Sequence, residues 1–542
     1  MLYNFVVIIL CAVISVITVK KIYKNEFDKK NKIIILEILI FFVGFLIRLL
    51  SIDKFPNALN VDEASEGYEA FSILKYAVDR HENHLPVFFV AWGGGQNVLL
   101  AYMMLPFIQF LGLNLLSVRL PMAILSCFSI VFMYLILERI KDRKFARYGL
   151  VFFVICPWHI MKSRWGLESN VFPDLFLMGV YFLIRGIQDK NKIAYYVSFA
   201  VFGLTGYAYG TAYVFLPIFV FAVLITLLIK KEIRLKEAFF AICIVGIIAL
   251  PIMLCVVINK FNLPQFEFLG FCIPKLAVKR YENISSIFSS NFFADSFKNF
   301  FNTLKIIIYQ DDGLPWNSLP ISGTTYKISL VFTIIGIFVA FGGKIKEKIE
   351  MKYNYIINIW FISAVLLSFF CDPNINRINI IWIPIIYYTI LGIYAICSID
   401  GGVRNVAILL YLVLFINFGF RYFAEDANSY WTFEANLDKV ITETEKMDKK
   451  IYISNNVKEP YIYVLFYGKY NPHDFANTVL YYEANEEFQE VKSFGKYDFQ
   501  GFESLDDENG VYVVREENLK EYNIEKDWKK RKIAGYVLFY RK

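Results

Sequence analysis

Asp62 and Glu63 are adjacent carboxylates at the head of a short amphipathic stretch, Asn60 to Lys75, directly after an apolar run. A carboxylate at the edge of a bilayer suits general-base work on a lipid-borne substrate, where it takes the proton of an attacking hydroxyl. The same spacing has a second reading. Asn60 followed three residues later by Glu63 is the pattern of a helix N-cap with its capping-box partner, and acids in a first turn complement the helix dipole. Along this helix Ala64, Gly67, Tyr68, Phe71, Leu74 and Val78 share one face, with Glu66, Glu69, Ser72, Lys75 and Asp79 on the other. Such a segment is expected to rest in the membrane interface rather than cross it.

Further polar groups stand where a membrane chain would otherwise be apolar. Arg164 and Glu168, in Ser163-Arg-Trp-Gly-Leu-Glu168, are four apart at the join of two apolar runs. They either pair along a helix or mark a functional edge. Arg377, in Asn374-Ile-Asn-Arg-Ile-Asn379, enters a strongly apolar run. It either snorkels to lipid as an anchor or holds a substrate phosphate in its planar fork. Asp311 and Asp312 open Asp-Asp-Gly-Leu-Pro-Trp-Asn317, a pattern that also makes an ordinary solvated turn. Tyr209 sits in the hairpin Tyr207 to Tyr213, where tyrosines form either an aromatic belt or a sugar platform. The four histidines make no metal-ligand pattern, and the eight cysteines lack paired spacing, so neither a zinc site nor a disulfide framework is expected.

The elements that must position these groups are membrane helices. The 542 residues are 57% hydrophobic and 18% aromatic, with mean hydropathy +0.47, well beyond a soluble domain. The net charge of +7 comes largely from Lys and Arg in short loops, which is a topology signal and not a nucleic-acid surface. Apolar runs fall at about 2–19, 33–52, 96–113, 117–138, 145–162, 170–187, 193–208, 211–229, 237–258, 327–342, 355–371, 374–397 and 403–421. The first lacks a basic leader and a small-residue cleavage site and reads as a retained span. If every run crossed, the basic loops at 20–32 and 139–147 would lie on opposite sides. The 96–113 run, after Gly93-Gly-Gly95 and containing Pro106, is therefore read as re-entrant or interfacial, leaving about twelve spans with the basic loops inside. The expected fold is mainly α, polytopic, with a transmembrane domain over 1–424. Its outer loops are at about 53–116 and 259–326. Residues 425–542 read as a small extracytoplasmic α/β domain, with helices near 434–448 and 460–468 and strands at 451–454, 511–514 and 534–540.

Several short motifs carry a resemblance. Asp62-Glu63-Ala64, then Leu85-Pro86, then Leu111-Gly112 with Ser117-Val-Arg119-Leu-Pro121, is similar to the first outer loop of GT-C-fold glycosyltransferases. More narrowly, the chain resembles the protein O-mannosyltransferase and aminoarabinose-transferase group, glycosyltransferase family 39-like. Ser163-Arg164 with Glu168, and Asp312 to Asn317 before Gly323, also look like bacterial members. The resemblance extends over about 33–400. It implies a GT-C fold with interfacial helices in the first outer loop, and inverting transfer from a polyprenyl-phosphate-linked sugar on the outer face. The family's catalytic acid maps onto Asp62, with Glu63 as its neighbouring support. Glu168 as a substrate contact and Arg377 or Arg164 as donor-phosphate ligands carry over more loosely. Tyr68, Asp311, Asp312 and Tyr209 are the remaining substrate-binding candidates. Two departures stand: the span before residue 33 puts the N-terminus outside, and the family's soluble acceptor-binding modules are not recognisable.

The expected partners are thus a polyprenyl-phosphate sugar, the bilayer of the plasma membrane, and an acceptor that is a protein, lipid or wall polymer. A metal requirement stays open: Asp62 and Glu168 could share a divalent ion, yet members of the resembling family need not use one. Two other readings of the spans are a transporter or flippase for a lipid-linked precursor and a polysaccharide polymerase or ligase. A transporter should place charges near the midplane within repeated halves; here the charges cluster on one side and no repeat is evident.

Overall fold

The computed structural model describes residues 2–23, 32–279, 285–345, 349–424, 434–483, 489–522 and 527–541. The chain is a mainly helical, multi-pass membrane protein. Among the described residues, seven helices are long and apolar enough to cross a bilayer: Tyr3–Tyr23, Leu115–Ile140, Glu168–Gln188, Ala212–Ile229, Leu235–Lys260, Asn379–Cys397 and Gly401–Phe423. The other expected spans are helices that are shorter or more charged. The chain forms two compact units. One comprises Met1–Pro56, Met122–Leu250 and Glu282–Tyr430; the other comprises Asn57–Pro121, Pro251–Tyr281 and Trp431–Lys542.

The first unit is a helix bundle. It holds α1 (Leu2–Tyr23) and α2 (Lys32–Leu49), and α3 (Val61–Tyr76) and α4 (Leu99–Leu111) follow in the chain but belong to the second unit. The bundle resumes within α5 (Leu115–Ile140) and continues with α6 (Arg143–Ile155), α7 (Pro157–Ser163), α8 (Glu168–Gln188), α9 (Lys192–Leu204), α10 (Ala212–Ile229) and the start of α11 (Leu235–Lys260). It ends with α12 (Phe292–Tyr309), α13 (Ser329–Ala340), α14 (Asn354–Leu367), α15 (Trp382–Cys397) and α16 (Gly401–Phe423). The apolar run 145–162, expected as one span, is broken at Cys156. Pro157 has no N–H for a continuing helix but suits the first turn of a new one, so α6 stops and α7 begins. Helices α13 and α15 cross backbone to backbone. A Cβ on Gly336 would lie 1.8 Å from the Tyr388 carbonyl oxygen, and one on Gly392 would lie 1.9 Å from that of Phe332. Only glycine permits that approach.

The second unit joins the segment between α2 and α5 to the C-terminal region. It has two small hairpins, β1 (Phe88–Phe89) with β2 (Gln96–Asn97) and β3 (Phe266–Phe268) with β4 (Phe271–Ile273). After α17 (Leu437–Glu445) come β5 (Ile451–Ile453), α18 (Pro460–Gly468), α19 (Pro472–Thr478), β6 (Leu480–Tyr481), β7 (Val491–Phe494), β8 (Tyr497–Asp498), β9 (Val511–Arg515), β10 (Lys529–Ile533) and β11 (Tyr536–Tyr540). The strands form one mixed sheet, β10-β11-β9-β5-β8-β7-β6, with β5 parallel to both neighbours and the other pairs antiparallel. Helices α17 and α18 and strands β5, β9 and β11 lie where the sequence places them; the expected boundary at residue 425 is outside the described residues. The 96–113 run forms β2 and α4. At 13 residues, α4 rises about 20 Å, short of the roughly 30 Å apolar core of a bilayer.

One expectation is corrected here. The polar face of α3 does not turn to water. Of that face only Lys75 is exposed; Glu66, Glu69 and Ser72, with Asp79 just beyond the helix, are buried, and α3 packs against α4 and α18. Gly67 makes the second contact close, since a Cβ there would meet the Phe466 ring at 2.6 Å.

Candidate active site

At the head of α3 the capping reading of the carboxylate pair is realised. Asn60 Oδ1 accepts from the Asp62 N–H at 2.8 Å, and Glu63 Oε2 accepts from the Asn60 N–H at 3.1 Å, completing a capping box. Glu63 is also gripped by Arg119 from the first turn of α5. Nε lies 2.7 Å from Oε1 and Nη2 lies 2.8 Å from Oε2, with Nη2 also donating to the Ala58 carbonyl at 2.7 Å. Both side chains are fully buried. Asp62, one residue earlier, is partly exposed at the helix's positive end. Tyr463 from α18 donates to the Leu59 carbonyl at 3.2 Å, and burial holds its hydroxyl far above its ordinary pKa. Tyr68 is fully buried, with its hydroxyl donating to the Tyr470 carbonyl at 2.9 Å, so it offers no open surface for a sugar.

The buried side of α3 is a polar network within the same unit. Arg80 donates from Nε to Glu69 Oε1 at 2.6 Å and from Nη1 to the Tyr461 hydroxyl at 3.3 Å. Its Nη2 donates to Ser65 Oγ, and its guanidinium lies 5.1 Å from the Trp92 ring centroid. Ser65 Oγ in turn donates to Gln96 at 3.0 Å. Asp79 ends the stretch, accepting from the His81 and Asn83 backbone N–H groups, each at 2.9 Å. Burial pushes its carboxyl up to about 6, against the pull of those bonds.

The remaining candidates lie in the helix bundle. Arg164 caps a helix. Its Nη1 donates to the Ile47 carbonyl at 2.6 Å, its Nη2 to those of Leu50 and Ser51 at 2.9 and 3.0 Å, and its Nε to that of Phe55 at 3.1 Å. These carbonyls are the last turn of α2 and the chain just after it, where helix acceptors have no intrahelical partner. Glu168 is the first residue of α8 and half-buried. Two further candidates are brought together. Asp312 Oδ2 accepts from the Ile375 N–H at 2.8 Å and from Asn317 Nδ2 at 2.7 Å, and Asn317 Oδ1 accepts from Asn376 at 2.7 Å. Burial pushes the Asp312 carboxyl up while these bonds oppose it. Arg377, next along that turn, donates from Nη1 to Asp372 Oδ2 at 2.7 Å and stays partly exposed. Asn379 then donates to the Ser169 carbonyl, tying this turn to the start of α8 beside Glu168. Asp311 makes a local turn through the Gly313 N–H at 3.0 Å. Tyr209 is half-buried in the turn between α9 and α10.

A second charged cluster in the bundle escaped the sequence reading. Asp174 on α8 takes Lys162 at 2.7 Å on Oδ1 and Ser126 at 2.7 Å on Oδ2, with His159 Nε2 3.4 Å away. Arg48 donates to His159 Nδ1 at 2.7 Å and to carbonyls of Gly44, Phe153 and Val154. An aspartate inside the apolar run 170–187 was the available signal, since intramembrane charges are found paired. Among the described residues no group of three His, Cys, Asp or Glu side chains gathers as a metal site.

The comparisons bear on the fold. The family model described as dolichyl-phosphate-mannose-protein mannosyltransferase matches residues 95–258. The crystal structure of ArnT from Cupriavidus metallidurans bound to undecaprenyl phosphate superposes with a TM-score of 0.56 at 10% identity, covering 93% of this chain and 97% of ArnT. The chain has the GT-C fold. The archaeal oligosaccharyltransferase AglB from Archaeoglobus fulgidus, in complex with an inhibitory peptide and a dolichol-phosphate, matches with a TM-score of 0.47 at 11% identity, over 79% of this chain and 63% of AglB. No curated protein sequence matches the chain significantly.

Proposed function

We propose that this GT-C protein is a glycosyltransferase that moves a sugar from a polyprenyl-phosphate donor to an acceptor hydroxyl at the outer face of the plasma membrane. The observation that carries the reading is the setting of Asp62 at the head of α3. Glu63 is committed to the cap and to Arg119, whereas Asp62 is partly exposed at the same helix start. The likeness to ArnT, whose structure holds undecaprenyl phosphate, supports a lipid-phosphate donor.

In this mechanism Asp62 takes the proton of the acceptor hydroxyl as its oxygen attacks the anomeric carbon from the face opposite the phosphate. The glycosidic C–O bond to phosphate breaks, and the polyprenyl phosphate leaves with the electron pair. One displacement inverts the anomeric centre. The leaving group is already a weak base, so the remaining demand is charge stabilisation, for which a guanidinium fork at Arg377 is suited. Glu168 and Asp312 are the acids assigned to hold sugar hydroxyls.

The test is sugar transfer by purified protein from a panel of polyprenyl-phosphate sugars, comparing wild type with Asp62→Asn at matched thermal stability. Turnover of one donor that the variant abolishes supports the reading and names the sugar. Equal turnover by both proteins removes Asp62 from the mechanism.

A further inference from the structure

Helix α12, in the long loop between α11 and α13, has its polarity inverted. Its inward side is polar: Ser296, Asn299 and Thr303 are buried with Ile306, and Ser296 shares a hydrogen bond of 3.0 Å with Ser286. Its outward side is aromatic and aliphatic. Phe293, Phe297, Phe301 and Ile308 are 75%, 54%, 56% and 52% exposed. At 100° per residue these four fall within a sector of about 80°. Lys298 and Lys305, both exposed and two turns apart, border that sector on one side. The helix is docked firmly. Phe300 stacks on Phe369 with centroids 4.6 Å apart and planes 8° apart, and Phe297 meets the same ring edge-on at 5.9 Å.

A helix that buries serine, asparagine and threonine while displaying four large apolar side chains has water on neither face. With three charged residues in its 18, Asp295, Lys298 and Lys305, it is also no ordinary span. An apolar sector edged by lysines fits a helix lying at the bilayer surface, with its aromatic side among the acyl chains and its lysines at headgroup depth. We propose that α12 is an interfacial helix whose outward face is immersed in lipid and whose Lys298 and Lys305 select anionic phospholipid headgroups. The charge complementarity decides the occupant, because a zwitterionic surface offers the lysines no net attraction. The consequence is geometric. Through its C-cap, Gln310, α12 leads directly into Asp311 and Asp312, so the lipid seat fixes the depth of the corner bonded to the Arg377 turn.

The test places Phe301→Trp in lipid discs holding equal amounts of phosphatidylglycerol and phosphatidylcholine, in which one or the other lipid carries brominated chains. The readout is tryptophan emission of the variant minus that of wild type. Bromines on either lipid are expected to quench this difference, with phosphatidylglycerol quenching about two- to fivefold more strongly. Adding Lys298→Gln and Lys305→Gln should bring the two lipids to parity without abolishing quenching. Absence of quenching by both lipids, as a second copy of the chain over this face would give, overturns the proposal. Equal quenching by both lipids with the lysines intact overturns the headgroup selection.

Discussion

Arg119 holds both carboxylate oxygens of Glu63, at 2.7 and 2.8 Å, across 56 residues of sequence and with neither side chain exposed. The ion pair fixes the first turn of α3, and the residue just before Glu63 is Asp62. Two neighbouring acids thereby differ in setting: Glu63 is buried and ion-paired, and Asp62 is partly exposed.

That separation is measurable. Arg119→Met strands a buried carboxylate and should cost about 3–5 kcal/mol of stability. Pairing it with Glu63→Met should recover part of that loss, because removing both charges relieves the stranding. Asp62→Asn should cost no more than about 1 kcal/mol, the range for a carboxylate in a helix's first turn. Its transfer rate should fall about a hundred- to ten-thousandfold, the range for loss of a general base. Thermal melts beside initial rates read both effects. Loss of stability in Asp62→Asn equal to that of Arg119→Met would make the acids one structural unit.

Arg164 distinguishes a helix cap from a phosphate ligand. Its guanidinium serves four carbonyls in different directions, an arrangement a single ammonium cannot reproduce. Arg164→Lys should therefore lower stability by about 1–3 kcal/mol while leaving the donor KM unchanged. A raised donor KM with an unaltered melting temperature would instead mark Arg164 as a donor ligand.

Much of this organisation was legible in the sequence, and what was not shares a cause. The capping box depends on residues three apart, and the strands β5, β9 and β11 on alternation along one segment; local spacing carries both. Arg119 is remote from Glu63, and Lys162 reaches Asp174 only after the chain has turned between α7 and α8, so no local period reveals either pair. The polar face of α3 misled for a related reason. Helical spacing separates polar from apolar positions but does not say whether water or protein meets the polar side, and here Arg80 and Gln96 do. Strand β10 was unreadable because Lys529-Lys-Arg-Lys-Ile533 has no apolar alternation; it is an edge strand, where lysines discourage further pairing.

Arg377 is expected to matter through its fork. Its pair with Asp372 is solvent-facing, so Asp372→Asn should change stability by no more than about 1 kcal/mol. Arg377→Lys keeps the charge but loses bidentate geometry, and should raise the donor KM about tenfold with a smaller effect on kcat. Steady-state kinetics with the donor varied at saturating acceptor measure the split. An unchanged donor KM would leave Arg377 as a lipid anchor.

Asp79 gives the segment after α3 a pH signature. Its carboxyl, pushed from 3.8 up to about 6 by burial, holds a proton in the folded protein that the unfolded chain has already released over that interval. Stability rises with pH only where the unfolded state binds more protons, and here the folded state does. Asp79 therefore contributes stability that grows as pH falls through about 6, levels off below 3.8, and is lost as pH rises back through the folded value. Asp79→Asn removes this titration while retaining an acceptor for the His81 and Asn83 N–H groups. The difference in melting temperature, wild type minus variant, should be larger at the acid end of that window than above it. Glu69 feels the Asp79 charge, which raises its carboxyl further in wild type, so the coupled titration adds to the difference with the same sign. A difference that is flat across the window, or that shrinks toward acid, would show that Asp79 is ionised in the folded protein throughout.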